Sequence, residues 1–168
     1  FSLLFSCGRD NLNRKSAGIR DKNGVGYKTE ISSFIPEGYA ILDTISGDLN
    51  RDNFPDMILV LKKVNEKELS DEADYPIRRP LYILTGQKDY TYKQVVNTDK
   101  VIYCLDCGGA AGDPYKGISI NKGMFKINQE GGEDGRWRRE LIFIYSEKDD
   151  NWYLDEDRVI TTNKEGSQ

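Results

Sequence analysis

Candidate oxygen ligands for a metal ion recur at alternate positions of one short segment, residues 48–56, called the acidic loop below. They occupy its first, third, fifth, seventh and ninth places: Asp48, Asn50, Asp52, Phe54 and Asp56. Calcium takes about six to eight oxygen ligands at short range, and alternate residues of a curled loop can supply them. The spacing therefore predicts a structural calcium site, in which Phe54 offers its backbone carbonyl oxygen.

The same residue types also allow an ion-free turn, in which Asp and Asn side chains accept hydrogen bonds from nearby backbone N–H groups. We favour metal binding because three carboxylates in one tight loop repel each other unless a cation neutralises them. An EF-hand is excluded, since the twelfth place holds Leu59 where that motif has a bidentate glutamate. The ion is expected to fix the angle between two strands.

Residues 47–56, followed by the apolar run 57–61, resemble the calcium loop of FG-GAP repeats. These repeats are the strand-loop-strand units of integrin-α-type β-propellers and also occur singly in secreted bacterial proteins. The resemblance implies that the five residues named above hold calcium. Asn53 stands where the family usually has glycine, and asparagine tolerates the left-handed backbone that the turn requires. The resemblance is confined to this segment and implies no enzymatic activity.

Cys7 and the residues before it point to export. Residues 4–6 read Leu-Phe-Ser, and with Cys7 they resemble the bacterial lipoprotein signal, in which an aliphatic, a variable and a small residue precede the acylated cysteine. We predict that residues 1–8 are a signal remnant and that Cys7 carries a lipid anchor. The alternative is a short buried strand. The predicted location is the periplasm or outer membrane, with membrane contact only through the lipid.

Cys104 and Cys107 are candidates for a structural disulfide, which exported proteins permit. A redox-active Cys-x-x-Cys pair normally opens a helix, whereas the flanking residues here indicate a strand and a glycine loop. A zinc site would need a second pair of ligands, and the chain has three cysteines and no histidine.

Composition narrows the possible functions further. Without histidine, no Ser-His or Cys-His nucleophilic pair and no imidazole metal site can form. The net charge is −4, with both signs interspersed, and nucleic-acid binding would instead require a basic stripe. We therefore expect no nucleic-acid partner.

The secondary structure around them must position the candidate loop ligands and the cysteine pair. The surrounding sequence consists of short runs of β-branched and aromatic residues, separated by residues typical of turns. They predict an all-β fold of about ten mostly antiparallel strands in a sandwich or propeller-like arrangement. The expected strands are residues 25–35, 39–45, 57–64, 79–85, 91–96, 101–105, 117–121, 124–129, 137–146, 152–154 and 158–162, with one helical turn within 66–73. We expect a single domain over residues 9–162 and a frayed tail at 163–168.

Arg136, Trp137 and Arg139 form a candidate binding surface, because tryptophan and arginine often anchor interfaces. Strand alternation places Trp137 and Arg139 on one face and Arg136 on the other. The alternative is ordinary cross-strand packing. The partner would be a protein or a glycan.

The resulting hypothesis is a non-enzymatic, exported and lipid-anchored binding domain. The alternative is an envelope hydrolase acting on glycans or peptidoglycan through carboxylates, with Asp43 or Glu130 as the acid. A third possibility is an assembly partner or inhibitor that offers a sheet edge or hairpin to another protein.

Overall fold

The computed structural model describes residues 30–70, 76–133 and 135–163 of the 168-residue chain. β-Strands dominate these ranges, and the one α-helix, α1 (Glu66–Leu69), is a single turn. The strands are β1 (Tyr39–Gly47), β2 (Asp56–Lys63), β3 (Arg79–Gly86), β4 (Tyr92–Ile102), β5 (Tyr115–Asn121), β6 (Met124–Gly131), β7 (Gly135–Ser146) and β8 (Asn151–Asn163). Short 3₁₀ turns cover Ile31–Phe34 and Gly109–Ala111. Among the described residues, no helix has the length and apolar character needed to cross a membrane.

The strands form two four-stranded antiparallel sheets, sheet one (β1–β4) and sheet two (β5–β8). In both sheets the spatial order of the strands equals their order along the chain. Each sheet is therefore a meander, and the segment between β4 and β5 carries the chain from one sheet to the other.

Strand β2 lies inside sheet one and is apolar on both faces. Ile58 and Val60 pack into one buried cluster, while Met57, Leu59 and Leu61 pack into a second cluster on the opposite face. A strand covered on both sides gains from a continuous apolar run rather than an alternating one. This explains why residues 57–61 contain no polar side chain.

The first of these clusters joins the two sheets. Ile58, Val60 and Ile83 enter it from sheet one, and Phe125 and Ile127 enter it from sheet two. Because both sheets cover the same apolar side chains, separating them would expose these side chains to water.

The described residues contain eight strands rather than about ten. Two of the predicted breaks between successive strands are wrong. The predicted strand 91–96 and the first two residues of the predicted strand 101–105 belong to β4, which ends at Ile102, and 152–154 and 158–162 belong to β8. Polar residues interrupt the apolar pattern in both places. However, β4 and β8 are the last strands of their sheets, and an edge strand carries polar side chains without burying them.

The predicted strand at residues 25–35 is also wrong in its described part. Ile31–Phe34 is a 3₁₀ turn. Ile31 and Phe34 both pack against the second cluster, because residues three apart lie on the same side of such a turn. Their apolar character therefore reflects packing rather than strand pairing.

Some predictions concern residues outside the described ranges. Residues 1–29 are among these, so the signal remnant, the lipid on Cys7 and the start of the domain at residue 9 stay predictions. At the other end β8 includes Asn163, and residues 164–168 also lie outside the described ranges.

Candidate metal site

The acidic loop joins β1 to β2, as expected for a strand-loop-strand unit. The two strands pair up to Gly47 and Asp56, which face each other at the base of the loop. Arg51 and Asn53 have φ values of 66° and 68°, so Asn53 adopts the left-handed conformation that is expected for it.

Leu49 anchors the loop to the core although its immediate neighbours are polar. Its side chain is fully buried in the cluster shared by the two sheets. Its N–H donates to Asp56 Oδ2 at 2.7 Å, and its carbonyl oxygen accepts the indole N–H of Trp152 at 3.1 Å. Leu49 therefore fixes the loop against both sheets.

Asp56 is a buried carboxylate that is held by backbone N–H groups. Its Oδ1 accepts the N–H of Gly86 at 3.0 Å, and its Oδ2 accepts that of Leu49. Burial raises the pKa of Asp56 to about 6, the negative charge of Asp52 adds to the rise, and the backbone hydrogen bonds oppose it. Negative charge at Asp56 is thus disfavoured in the folded protein unless a cation lies nearby.

Asp52 and Asn50 bond to each other and to the loop backbone. The amide of Asn50 donates to Asp52 Oδ2 at 2.9 Å, and the N–H of Asp52 donates to Asn50 Oδ1 at 3.1 Å. Asp52 Oδ1 accepts the N–H of Phe54 at 2.8 Å. These are the local hydrogen bonds of the ion-free alternative, although each carboxylate oxygen retains capacity for a second partner.

Asp48 is incompletely satisfied. Its Oδ1 is buried and has no hydrogen-bond partner among the described residues, while its Oδ2 lies 3.4 Å from Lys122 Nζ. The ammonium group of Lys122 also donates to Asn53 Oδ1 at 3.1 Å. Lys122 comes from the tight turn between β5 and β6, and its side chain is 56% exposed.

The donor set of the loop suits a hard divalent cation, and the unpartnered Asp48 oxygen is the observation that supports such an ion. A buried acceptor without a partner costs about 1–3 kcal/mol, and coordination to calcium would remove that cost. The side chains are not gathered around one point, however. Within the described residues, no group of three or more Asp, Glu, Cys or His side chains is arranged to hold a metal.

A second buried charged group, the Arg79 cluster, comprises Arg79, Glu66 and Asp113. Arg79 is fully buried. It donates to Glu66 through Nε at 2.7 Å and Nη2 at 2.9 Å, and to Asp113 through Nη1 at 2.7 Å and Nη2 at 2.8 Å. Burial acts to raise the pKa of Asp113, but hydrogen bonds from Arg79 and Tyr115 outweigh it and hold this pKa below its usual value.

The structure places Trp137 and Arg139 against the same residue, Tyr103, and leaves Arg136 exposed. Trp137 packs edge-to-face against Tyr103, with ring centroids 5.7 Å apart. Arg139 donates to the Tyr103 hydroxyl at 2.5 Å and makes two hydrogen bonds to Asp157, at 2.8 and 2.7 Å. Arg136 is exposed and lines, with Trp137, a groove of about 270 Å³ at one end of sheet two.

Cys104 and Cys107 form a disulfide in the structure, with Cα atoms 5.1 Å apart. The bond closes a small loop directly after β4, where the chain leaves sheet one. Oxidation of this pair in the cell depends on the compartment and stays a prediction.

The two carboxylates considered for hydrolysis have other partners. Asp43 Oδ2 accepts the hydroxyl of Tyr115 at 2.8 Å. Glu130 lies 3.6 Å from Arg138 and 3.9 Å from Lys116. The role of these carboxylates in hydrolysis stays a prediction.

Sequence reasoning missed the groups that contact the predicted ligands from a distance. Lys122 is 69 positions from Asn53, and Gly86 is 30 positions from Asp56. Only the placement of the strands brings them together. The apolar Leu49 between two polar ligands was the one available signal for how the loop is anchored.

Comparisons with protein-family models, with curated proteins and with solved structures found no match for this chain. The likeness to the FG-GAP calcium loop therefore depends on residues 47–61 alone.

Proposed function

We propose that this chain is an exported, non-enzymatic binding domain that is stabilised by one calcium ion in the acidic loop and attached to the cell envelope through a lipid on Cys7. The observation that carries the calcium proposal is the buried Oδ1 of Asp48, an acceptor without a hydrogen-bond partner among the described residues. It lies in a loop whose oxygen donors have the spacing that calcium favours.

Calcium would relieve two unfavourable features of the loop at once. It would coordinate the unpartnered oxygen of Asp48, and its positive charge would favour the ionised form of Asp56, whose pKa burial raises to about 6. Asn50, Asp52 and the carbonyl oxygen of Phe54 would complete the ligand set. The ion would then hold β1 and β2 at a fixed angle.

We further propose that the two sheets are related as in a propeller rather than as in a sandwich. Propeller blades are four-stranded antiparallel sheets that follow one another along the chain. Two successive meanders support this arrangement, and so does the place of the acidic loop between the first two strands of sheet one. The binding surface, for a protein or a glycan, would include the groove beside Arg136 and Trp137.

Calcium titration tests the metal site. In excess calcium the melting temperature should rise by about 5 °C over its value in chelator, since a ligand at a hundred times its Kd stabilises by about 2.7 kcal/mol. Asp48→Ala should abolish the rise. Asp99→Ala, which removes an exposed carboxylate on β4, should retain it. Equal melting temperatures with calcium and with chelator in the unaltered protein would reject the proposal.

Lipid attachment is tested separately in cells that express the protein with its complete N-terminus. We expect incorporation of radiolabelled palmitate and recovery in the membrane fraction, both lost in Cys7→Ser. Cys104→Ser/Cys107→Ser serves as the matched control, because it removes cysteines and should leave labelling intact. Equal labelling of Cys7→Ser would contradict the anchor.

A further inference from the structure

Strand β8 is a long edge strand with an unusually apolar surface. It is the last strand of sheet two, pairs with β7 on one side, and runs for 13 residues. Within the described residues no strand pairs with its other side. Such an edge presents backbone N–H and C=O groups that can pair with a further strand.

Four large apolar side chains on β8 are about half exposed. The exposed fractions are 50%, 50%, 58% and 48% for Tyr153, Leu154, Val159 and Ile160. Edge strands usually carry charges or proline that discourage further pairing. Here the charges lie in the middle of the strand, at residues 155–158, and the apolar residues flank them on both sides.

A bulge decides which of these side chains share a face. Ile142 faces Glu156 and Phe143 faces Leu154, so Asp155 has no opposite residue on β7. The bulge shifts the alternation by one position. As a result Leu154 and Val159 lie on one face of sheet two, and Tyr153 and Ile160 lie on the other.

We propose that β8 pairs antiparallel with β8 of a second copy of this chain, about a two-fold axis at Asp157. If Asp155 is left out as the bulge residue, residues equally far from the axis on its two sides lie on the same face of the sheet. They are either opposite in charge or both apolar. Each of the following pairs would form twice across the interface: Glu156 with Arg158, Leu154 with Val159, and Tyr153 with Ile160. The two copies of sheet two would then join into one eight-stranded sheet.

This self-complementarity is the argument for a second copy over a different partner. A two-fold interface requires that each residue meet its counterpart in both directions. On β8, the residues that would face each other across the axis are either opposite in charge or both apolar. The order of residues therefore meets that requirement. Of the strands at the edges of sheet one, β4 exposes only Val95 and β1 only Ile41 among their large apolar residues.

The carboxylates of the two Asp157 side chains would meet at the axis, and each has its own counterion. Arg139 of the same chain makes two hydrogen bonds to Asp157, at 2.8 and 2.7 Å. These bonds hold the pKa of Asp157 below its usual value. The repulsion between the two carboxylates is therefore offset on both sides of the axis.

A charge exchange across the axis tests the pairing. Glu156→Arg places two arginines opposite each other, and Arg158→Glu places two glutamates opposite each other. Sedimentation equilibrium over a range of concentrations should show a monomer–dimer equilibrium for the unaltered protein. In each variant we expect the Kd for dimerisation to rise about tenfold, since each exchange reverses two cross-strand pairs.

Mixing the two variants gives the decisive result. In the mixed pair, one chain would carry arginine at both positions and the other chain glutamate at both, so opposite charges would again face each other. A heterodimer should therefore form at concentrations where each variant alone is monomeric. An effect confined to one chain, such as loss of the contacts of Arg158 with Glu156 at 2.8 Å and with Glu140 at 3.3 Å, would not be rescued by mixing. Absence of the heterodimer overturns the proposal.

A second pair of variants locates the interface by its apolar contacts. Ile160→Lys should abolish the dimer, while Val95→Lys, on the edge of sheet one and similarly exposed at 42%, should leave it intact. Unfolding curves of both monomers confirm that they are folded. A chain that stays monomeric at every concentration, or a dimer that tolerates Ile160→Lys, refutes pairing through β8.

Discussion

The Arg79 cluster and the acidic loop both bring charge into the β core, and they neutralise it to very different degrees. In the first, one guanidinium donates four hydrogen bonds to the carboxylates of Glu66 and Asp113. In the second, buried Asp56 has only backbone N–H partners, and Asp48 has one exposed lysine and one oxygen without a partner among the described residues. Both carboxylates of the Arg79 cluster thus have a guanidinium partner, whereas the acidic loop leaves one carboxylate oxygen without a partner among the described residues.

That difference indicates separate roles. A buried ion pair held by four hydrogen bonds is a structural connection, and this one joins α1, β3 and Asp113, two residues before β5. Uncompensated carboxylates instead lower stability until a cation reaches them. The two clusters should therefore respond differently to mutation, to pH and to calcium.

Removal of Arg79 should have the largest effect. Arg79→Met leaves the carboxylate of Glu66, which is 4% exposed, without its counterion. Loss of one partner from a buried ion pair costs about 3–5 kcal/mol. We expect a loss of this size in the free energy of unfolding, measured by urea denaturation.

The double variant Arg79→Met/Glu66→Gln shows whether charge is the cause. It should be more stable than Arg79→Met because the unpaired charge of Glu66 is removed. The control adds Lys88→Ala, a change at an exposed residue, to Arg79→Met and should restore no stability. If the double variant is less stable than the single one, packing rather than charge explains the loss.

The pH dependence of stability should have opposite signs in the two clusters. Burial raises the pKa of Asp56 from 3.8 to about 6, so the folded protein holds this proton more tightly than the unfolded chain does. The contribution of Asp56 to the free energy of unfolding is complete below about pH 4 and is lost as the pH rises through about 6. The free energy of unfolding changes by up to about 3 kcal/mol over this range. The lowered pKa of Asp113 gives a contribution that is present above about pH 4 and is lost on further acidification.

Urea denaturation in chelator between about pH 4.5 and 7.5 measures the Asp56 contribution. Asp56→Asn should flatten the decline in stability with rising pH, whatever its effect on stability at any single pH. Asp99→Asn, on the exposed part of β4, should keep the decline. An unchanged slope in Asp56→Asn would show that another group titrates.

The contrast between the two clusters also shows which charged groups can be predicted from the sequence. The candidate ligands of the acidic loop lie within nine residues and alternate, and the following apolar run predicts β2 directly, so local pattern alone indicates this unit. In the Arg79 cluster, Glu66 and Asp113 lie 13 and 34 positions from Arg79. No periodicity relates such distant charges, and only the packing of α1 and the β5 approach against β3 reveals them.

The breaks predicted within β4 and β8 have a similar origin. Polar residues in the middle of a strand resemble a turn when the sequence is read one segment at a time. Edge positions allow a strand to continue through them, and edge position is a property of the sheet rather than of the segment.

Removal of Lys122 should have the smallest effect on stability and the most specific effect on calcium binding. Its side chain is 56% exposed, so the ion pair with Asp48 contributes less than about 1 kcal/mol, and Lys122→Met should unfold in chelator much like the unaltered protein. The same change removes a positive charge that would compete with calcium for Asp48. Isothermal titration should therefore show a calcium Kd up to about fivefold lower in Lys122→Met.

Lys67→Met is the matched control, because Lys67 is an exposed lysine on α1 outside the acidic loop. It should leave the calcium Kd unchanged, which separates local competition from the general effect of removing one positive charge. If calcium binds Lys122→Met no more tightly than Lys67→Met, the ammonium does not compete with the ion. Lys122 would then be a permanent partner of Asp48, as Arg79 is of Glu66 and Asp113.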